Sequence, residues 1–133
     1  MSADEVIAAS VRHQDGAVVL VVRGEVDIST VGVVRTAIVG VLAEEPSAFI
    51  IDLSAVTFLS SAGLKLLVQT AADVQRCRER AGQASGRTCF GVIATNPETR
   101  RPIILTGLDA IFPVFDTLDA ALARASTKNE SSA

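Results

Sequence analysis

Nucleophiles, bases and metal ligands are scarce in this chain, and their placement limits the chemistry open to it. Two cysteines, Cys77 and Cys89, and one histidine, His13, cannot make a cysteine-based zinc site or any ordinary ligand set, so no metal and no cofactor is expected. A serine or cysteine nucleophile would need His13 as its base. His13 stands in the polar run Arg12-His13-Gln14-Asp15-Gly16 with nothing marking it, and reads as a surface or strand-edge residue. The hydroxyls that stand out are Ser29, Thr30, Ser60 and Ser61, each just ahead of a helical pattern. There a side-chain oxygen caps free amides, and those amides can hold a phosphate. Asp27, beside the first pair, can cap or orient the loop that enters the helix. Cys77 and Cys89 admit a redox reading, because arginines flanking Cys77 favour thiolate. The plainer reading is packing, since Cys89 falls on a core-strand pattern and a disulfide needs Cα atoms within about 7 Å. No acid, base and nucleophile converge, so no enzyme is expected.

The elements that must position these residues follow from composition and periodicity. With 133 residues, 49% hydrophobic and 20% charged, the chain fits one domain with one core. Five Phe with no Trp or Tyr leave no stacking platform for single-stranded nucleic acid, and a formal net charge of −3 repels phosphate backbones. The opening Met-Ser-Ala-Asp-Glu lacks a basic secretory n-region, and apolar runs such as Ala17 to Val22 are too short for a membrane span. A cytoplasmic protein that binds neither nucleic acid nor membrane is expected.

A short strand around Ala8 to Arg12 can form a hairpin with the β-branched run Val18 to Val22. Val31, Val34, Ala37, Ile38, Val41 and Leu42 make one helical face, with Ser29 or Thr30 as cap. Ala48 to Leu53 reads as a buried strand. After Ser54 to Ser60, a longer helix follows through Leu64, Leu67, Val68, Ala71 and Val74, capped by Ser60 or Ser61 and ending among Arg76, Arg78 and Arg80. The link from Arg76 to Arg87 reads as a solvated loop, or as a local basic site for a nucleotide or an acidic partner. Thr88 to Ala94 is a third core strand. Arg100 to Thr106 is a short helix capped by Thr99, which puts Pro102 in its first turn. Val114 to Phe115 is a brief strand, and Asp116 caps a last helix through Ala125. Residues 1–126 then form the domain and 127–133 a tail. The alternation predicts an α/β fold: a mixed, mostly parallel sheet of about five strands flanked by about four helices, with function gathered at Gly24 to Thr30 and Ser54 to Gly63.

These two loops carry a resemblance. Arg23-Gly24-Glu25-Val26-Asp27-Ile28-Ser29-Thr30, followed by Asp52-Leu53-Ser54-Ala55-Val56-Thr57-Phe58-Leu59-Ser60-Ser61-Ala62-Gly63-Leu64, resembles the STAS domain of anti-sigma factor antagonists. So does the run from Thr99-Arg100-Arg101-Pro102 through Leu108-Asp109 to Phe112-Pro113-Val114-Phe115. Together these segments span nearly the whole chain in the right order. The resemblance implies a single STAS domain that binds an ATP-binding anti-sigma factor of the serine-kinase type and releases a sigma factor. In the family, a serine at the start of the second helix, within an Asp-Ser-Ser-Gly run, is phosphorylated and the antagonist lets go.

Here that run departs from the family pattern, because Ser60 takes the place of the Asp, Ser61 that of the first serine, and Ala62 that of the acceptor. A phosphate adds about −1.5 to −2 charges, and alanine cannot carry one. The preferred expectation is an antagonist insensitive to the usual phosphorylation, and the other a modification moved to Ser61 or Ser60. The expected contact surface comprises Asp27, Ser29, Thr30, Ser60, Ser61, Ala62, Gly63 and Leu64, and a weak homodimer is admitted. The alternatives are a STAS subunit of a transport or stress-signalling assembly, or a nucleotide-binding regulatory module, which fold alone does not exclude.

Overall fold

The computed structural model describes residues 7–14, 16–81 and 89–131. The chain begins with a hairpin, β1 (Ile7–Gln14) and β2 (Ala17–Val26), paired antiparallel with Ser10 opposite Val21. Alternation follows as α1 (Val31–Ala43), β3 (Ala48–Leu59), α2 (Ser61–Ala81), β4 (Cys89–Ile93), α3 (Pro97–Leu105), a short 3-10 turn at Leu108–Ala110, β5 (Val114–Phe115) and α4 (Leu118–Ser131). The sheet order is β1-β2-β3-β4-β5, and every pair after the first is parallel. This is the expected mixed α/β sheet. The order equals the chain order because each crossover adds its strand on the same side of the last, with α1, α2 and α3 packed in one layer.

Successive strand residues point to opposite faces, so a continuous apolar run feeds two cores at once. Val18, Leu20 and Val22 on β2, Phe49 and Ile51 on β3, and Val92 on β4 face the layer made by α1, α2 and α3. Val19, Ile50 and Ile93 face the other way, onto Ala121 of α4. Each large apolar side chain taken from water on the thicker side contributes about 1.5–3 kcal/mol. The α1 stripe is as predicted, with Val31, Val34, Ile38 and Val41 buried. On α2 the buried stripe is Leu66, Leu67, Thr70 and Val74, while Leu64, Val68 and Ala71 are half-buried. Thr70 is tolerated there because its hydroxyl donates to the Leu66 carbonyl at 2.8 Å.

Several expected boundaries are corrected. β3 does not stop at Leu53 but runs to Leu59. Its second half pairs with a part of β2 whose register shifts twice, once on each side of Gly24, which adopts φ 111°. α3 starts at Pro97, capped by Asn96, whose side chain accepts from the Glu98 amide, so Pro102 sits inside the helix. Thr99 is buried instead, its hydroxyl donating to the Asn96 carbonyl at 2.9 Å. Thr117, not Asp116, caps α4 by accepting from the Ala120 amide, and α4 runs past Ala125 to Ser131. The segment from Arg76, expected as a loop or basic site as far as Arg87, is instead helical to Ala81, while the rest of it and the start of the expected strand at Thr88 fall on residues 82–88, outside the described residues. Among the described residues, no helix is long and apolar enough to cross a membrane.

Candidate functional site

The two loops singled out in the sequence meet at the C-terminal ends of β2 and β3. The Ser60 amide donates to the Val26 carbonyl at 2.9 Å, which ties the start of α2 to the last residue of β2. Gly63 closes the junction. A Cβ built there would lie 2.5 Å from Leu59 Cδ1 and 2.9 Å from Val26 Cγ1, so only a residue without a side chain lets the first turn of α2 rest on both strand ends. α3 is anchored nearby, its Asn96 side-chain amide donating to the Val56 carbonyl at 2.7 Å.

The turn into α1 is organised by Asp27 rather than by the expected Ser29 or Thr30. Asp27 Oδ1 accepts from the amides of Ser29 at 3.0 Å and Thr30 at 3.1 Å, and from the Ser29 hydroxyl at 2.7 Å. Its carbonyl accepts from the Val31 amide at 2.8 Å, so helical bonding starts from Asp27. Thr30 is the residue before the helix, but its hydroxyl makes no cap bond to the helix. That hydroxyl accepts from the Asp27 amide at 2.9 Å and donates to the Glu25 carbonyl at 2.7 Å.

These bonds hold the Asp27 carboxyl below its ordinary value near 3.8. The Ser29 hydroxyl contributes most, desolvation opposes it, and the Ser29 and Thr30 amides and the Thr30 hydroxyl add to it. A lowered folded-state value means stability present above the unfolded pKa and lost as pH falls through the folded one. Asp27→Asn keeps an acceptor oxygen and removes only the charge. The melting-temperature advantage of the natural chain over that variant is therefore expected at neutral pH, should begin to shrink as pH falls below about 4, and should vanish only once pH lies below the lowered folded-state value. A gap in thermal melts that stays constant between those conditions would show that the charge plays no part.

Around this junction the expected contact residues divide by exposure. Ser29 and Ser61 are exposed, Asp27, Ser60, Ala62 and Leu64 are half-buried, and Thr30 and Gly63 are buried as positioning residues. Ser60 and Ser61 differ in a way their adjacency hides. The Ser60 hydroxyl oxygen is enclosed and, among the described residues, has no hydrogen-bond partner, whereas Ser61 lies open on the first helical turn. Two residues of the site carry no sequence signal of exposure. Ile28, at the tip of the Asp27 turn, is 82% exposed, and Phe58, beside Glu25 in the strand pairing, is 48% exposed. Isoleucine and phenylalanine so placed offer apolar area to another molecule.

The cysteines stand apart from this junction. Cys89 packs with Ala17, Ala48 and Leu122 on the α4 side of the sheet, while Cys77 belongs to α2, which covers the opposite face. Both are free thiols separated by the sheet. His13 is exposed on β1, its Nε2 2.9 Å from Glu44 Oε1. Among the described residues, no three His, Cys, Asp or Glu side chains gather in a metal-binding group.

Comparison with known proteins places this geometry among relatives. Residues 8–121 match the STAS domain profile. The chain is 44% identical over 122 residues to the anti-sigma-F factor antagonist RsfB of Mycobacterium tuberculosis, covering 92% of each chain. It superposes on the crystal structure of an anti-sigma factor antagonist from Mycobacterium paratuberculosis with a TM-score of 0.77 at 45% identity, covering 95% of this chain and 99% of that one. The phosphorylated form of the Bacillus cell fate determinant SpoIIAA shares the fold, with a TM-score of 0.60 at 21% identity over 88% of this chain and 98% of that one.

Proposed function

The chain belongs to the STAS domain family, and from that premise we propose that it is an anti-sigma factor antagonist acting in the cytoplasm. It binds an anti-sigma factor of the ATP-dependent serine-kinase type and so releases a sigma factor. The observation that supports this most is the junction itself. The Ser60 amide on the Val26 carbonyl brings the Asp27–Thr30 turn, with its bare Ile28 side chain, against the first turn of α2. One rigid patch thus presents an apolar tip beside a helix start whose acceptor position is Ala62.

The regulation follows from the same patch. With alanine at the acceptor position, the kinase has no hydroxyl to modify there, and binding outlasts ATP turnover. The Ser60 hydroxyl is enclosed, so a phosphate on it would force the helix start off the strand ends. Ser61 is exposed beside free helical amides, so a relocated switch would act there, adding about −1.5 to −2 charges to the contact surface.

Calorimetry with anti-sigma kinases and MgATP, followed by intact mass, tests both halves. The expected result is tight binding that persists with no added phosphate mass. Phosphate on Ser61 with loss of affinity would replace the unswitched antagonist by the relocated switch. Absence of binding to every kinase would overturn the antagonist reading and favour an assembly subunit.

A further inference from the structure

A second surface lies at the far edge of the sheet, away from the junction. Neighbouring strands are about 4.8 Å apart, so the three steps from β2 to β5 put it about 14 Å from the Asp27 turn. There a groove of about 490 Å³ is lined by Arg100 and Ile104 of α3, Arg124 of α4, and Ile111. Val114 of β5 lines it.

Three properties of this groove are independent of one another. First, β5 is the last strand of the sheet, and among the described residues its outer side is unpaired. The amides of Val92 and Ala94 donate to the carbonyls of Pro113 and Phe115, so the alternate backbone groups, the N–H and C=O of Val114, turn away from the sheet. Second, apolar side chains flank the open strand, Ile104 at 42% and Ile111 at 53% exposed. Third, the two guanidinium groups are unequally engaged. Arg100 donates to the Ala94 carbonyl and pairs with Asp116. Arg124 is exposed and has no ion pair among the described residues. Asp109 lies in the lining as well, which leaves Arg124 as the place for a negative group.

We infer that this groove takes an extended, carboxylate-bearing segment of a partner protein, which adds to the edge of β5 as a further strand. The Val114 N–H and C=O supply main-chain bonds, Ile104 and Ile111 receive alternate apolar side chains, and Arg124 takes a carboxylate in forked geometry. The site is separate from the antagonist junction and does not depend on it. Addition to so short a strand gives few main-chain bonds, so the affinity is modest and the charge contact carries the selectivity.

The test is a titration of the isotopically labelled full chain, followed by amide resonances, with a short acetylated peptide of alternating valine and glutamate. Saturation is expected near about 1 mM, with shifts confined to Ile104, Ile111, Val114, Phe115 and Arg124. The same peptide with glutamine in place of glutamate should bind about tenfold more weakly, as should the glutamate peptide to Arg124→Glu, a surface change whose fold the spectrum itself verifies. A version N-methylated along the bonding edge should not bind. No shifts at that concentration, equal affinity for the glutamine peptide, or undiminished binding of the N-methylated one would each overturn the proposal. So would the same resonances moving on dilution of the chain alone, which would make a second copy the occupant.

Discussion

Ile28→Asp is expected to weaken binding to the anti-sigma partner by about thirtyfold or more, ~2 kcal/mol, while leaving the fold intact. At 82% exposure this side chain contributes almost nothing to the core, so its replacement belongs with surface changes, which usually stay within about 0.5 kcal/mol of the parent. In a complex the balance reverses. An apolar tip that fills a pocket is desolvated on binding, and a carboxylate in its place would be desolvated beside the Asp27 carboxyl. Ile28→Leu should keep most of the affinity. Calorimetry on the two variants, with melting temperatures measured alongside, separates the cases. Equal affinity for the natural chain and Ile28→Asp would remove Ile28 from the interface and move the contact to Ser61 and Leu64.

The same residue shows how much of the site was legible beforehand. The fold could be read because apolar runs of strand length alternate with stripes of helical period, and those patterns allow few topologies. The Asp27 turn and the Ser60–Gly63 turn could be found because polar and small residues gather after strands in such a fold. Ile28 could not be singled out, since an exposed isoleucine and a buried one look alike until the neighbouring backbone is placed.

The second half of β3 is hidden in the sequence for a related reason. Ser54-Ala55-Val56-Thr57 has neither a continuous apolar run nor strict alternation. The register shifts around Gly24 leave only Val56 and Leu59 buried in the segment, at a spacing of three. Caps are ambiguous in the sequence where several candidates stand together. Asp27 outcompetes Ser29 and Thr30 because its carboxylate reaches two amides and a hydroxyl at once. Asn96 outcompetes Thr99 because its side chain serves both α3 and the Val56 carbonyl.

Substituting Gly63 probes whether the junction is held by packing in the way its geometry requires. Gly63→Val should destabilise the chain by about 3 kcal/mol, the upper end for overpacking, because its Cβ alone would come within 2.5 Å of Leu59 and 2.9 Å of Val26 before either methyl is placed. Both neighbours are themselves buried, so neither can swing away into solvent. Gly63→Ala sets two effects against each other. A helix favours alanine over glycine by about 1 kcal/mol, while the clash costs about 1–3 kcal/mol, so a net loss is expected although the helix itself is improved. Leu59→Ala should cost about 2–5 kcal/mol alone through the cavity it leaves. Combined with Gly63→Ala it should cost less than the sum, because the new methyl then occupies the vacated space. Denaturant unfolding of the four chains measures that coupling. Strict additivity would mean that α2 can slide off the strand ends without penalty. The Asp27 turn and the first turn of α2 would then not be one rigid patch, and the preorganised contact surface proposed for the partner would fall with it.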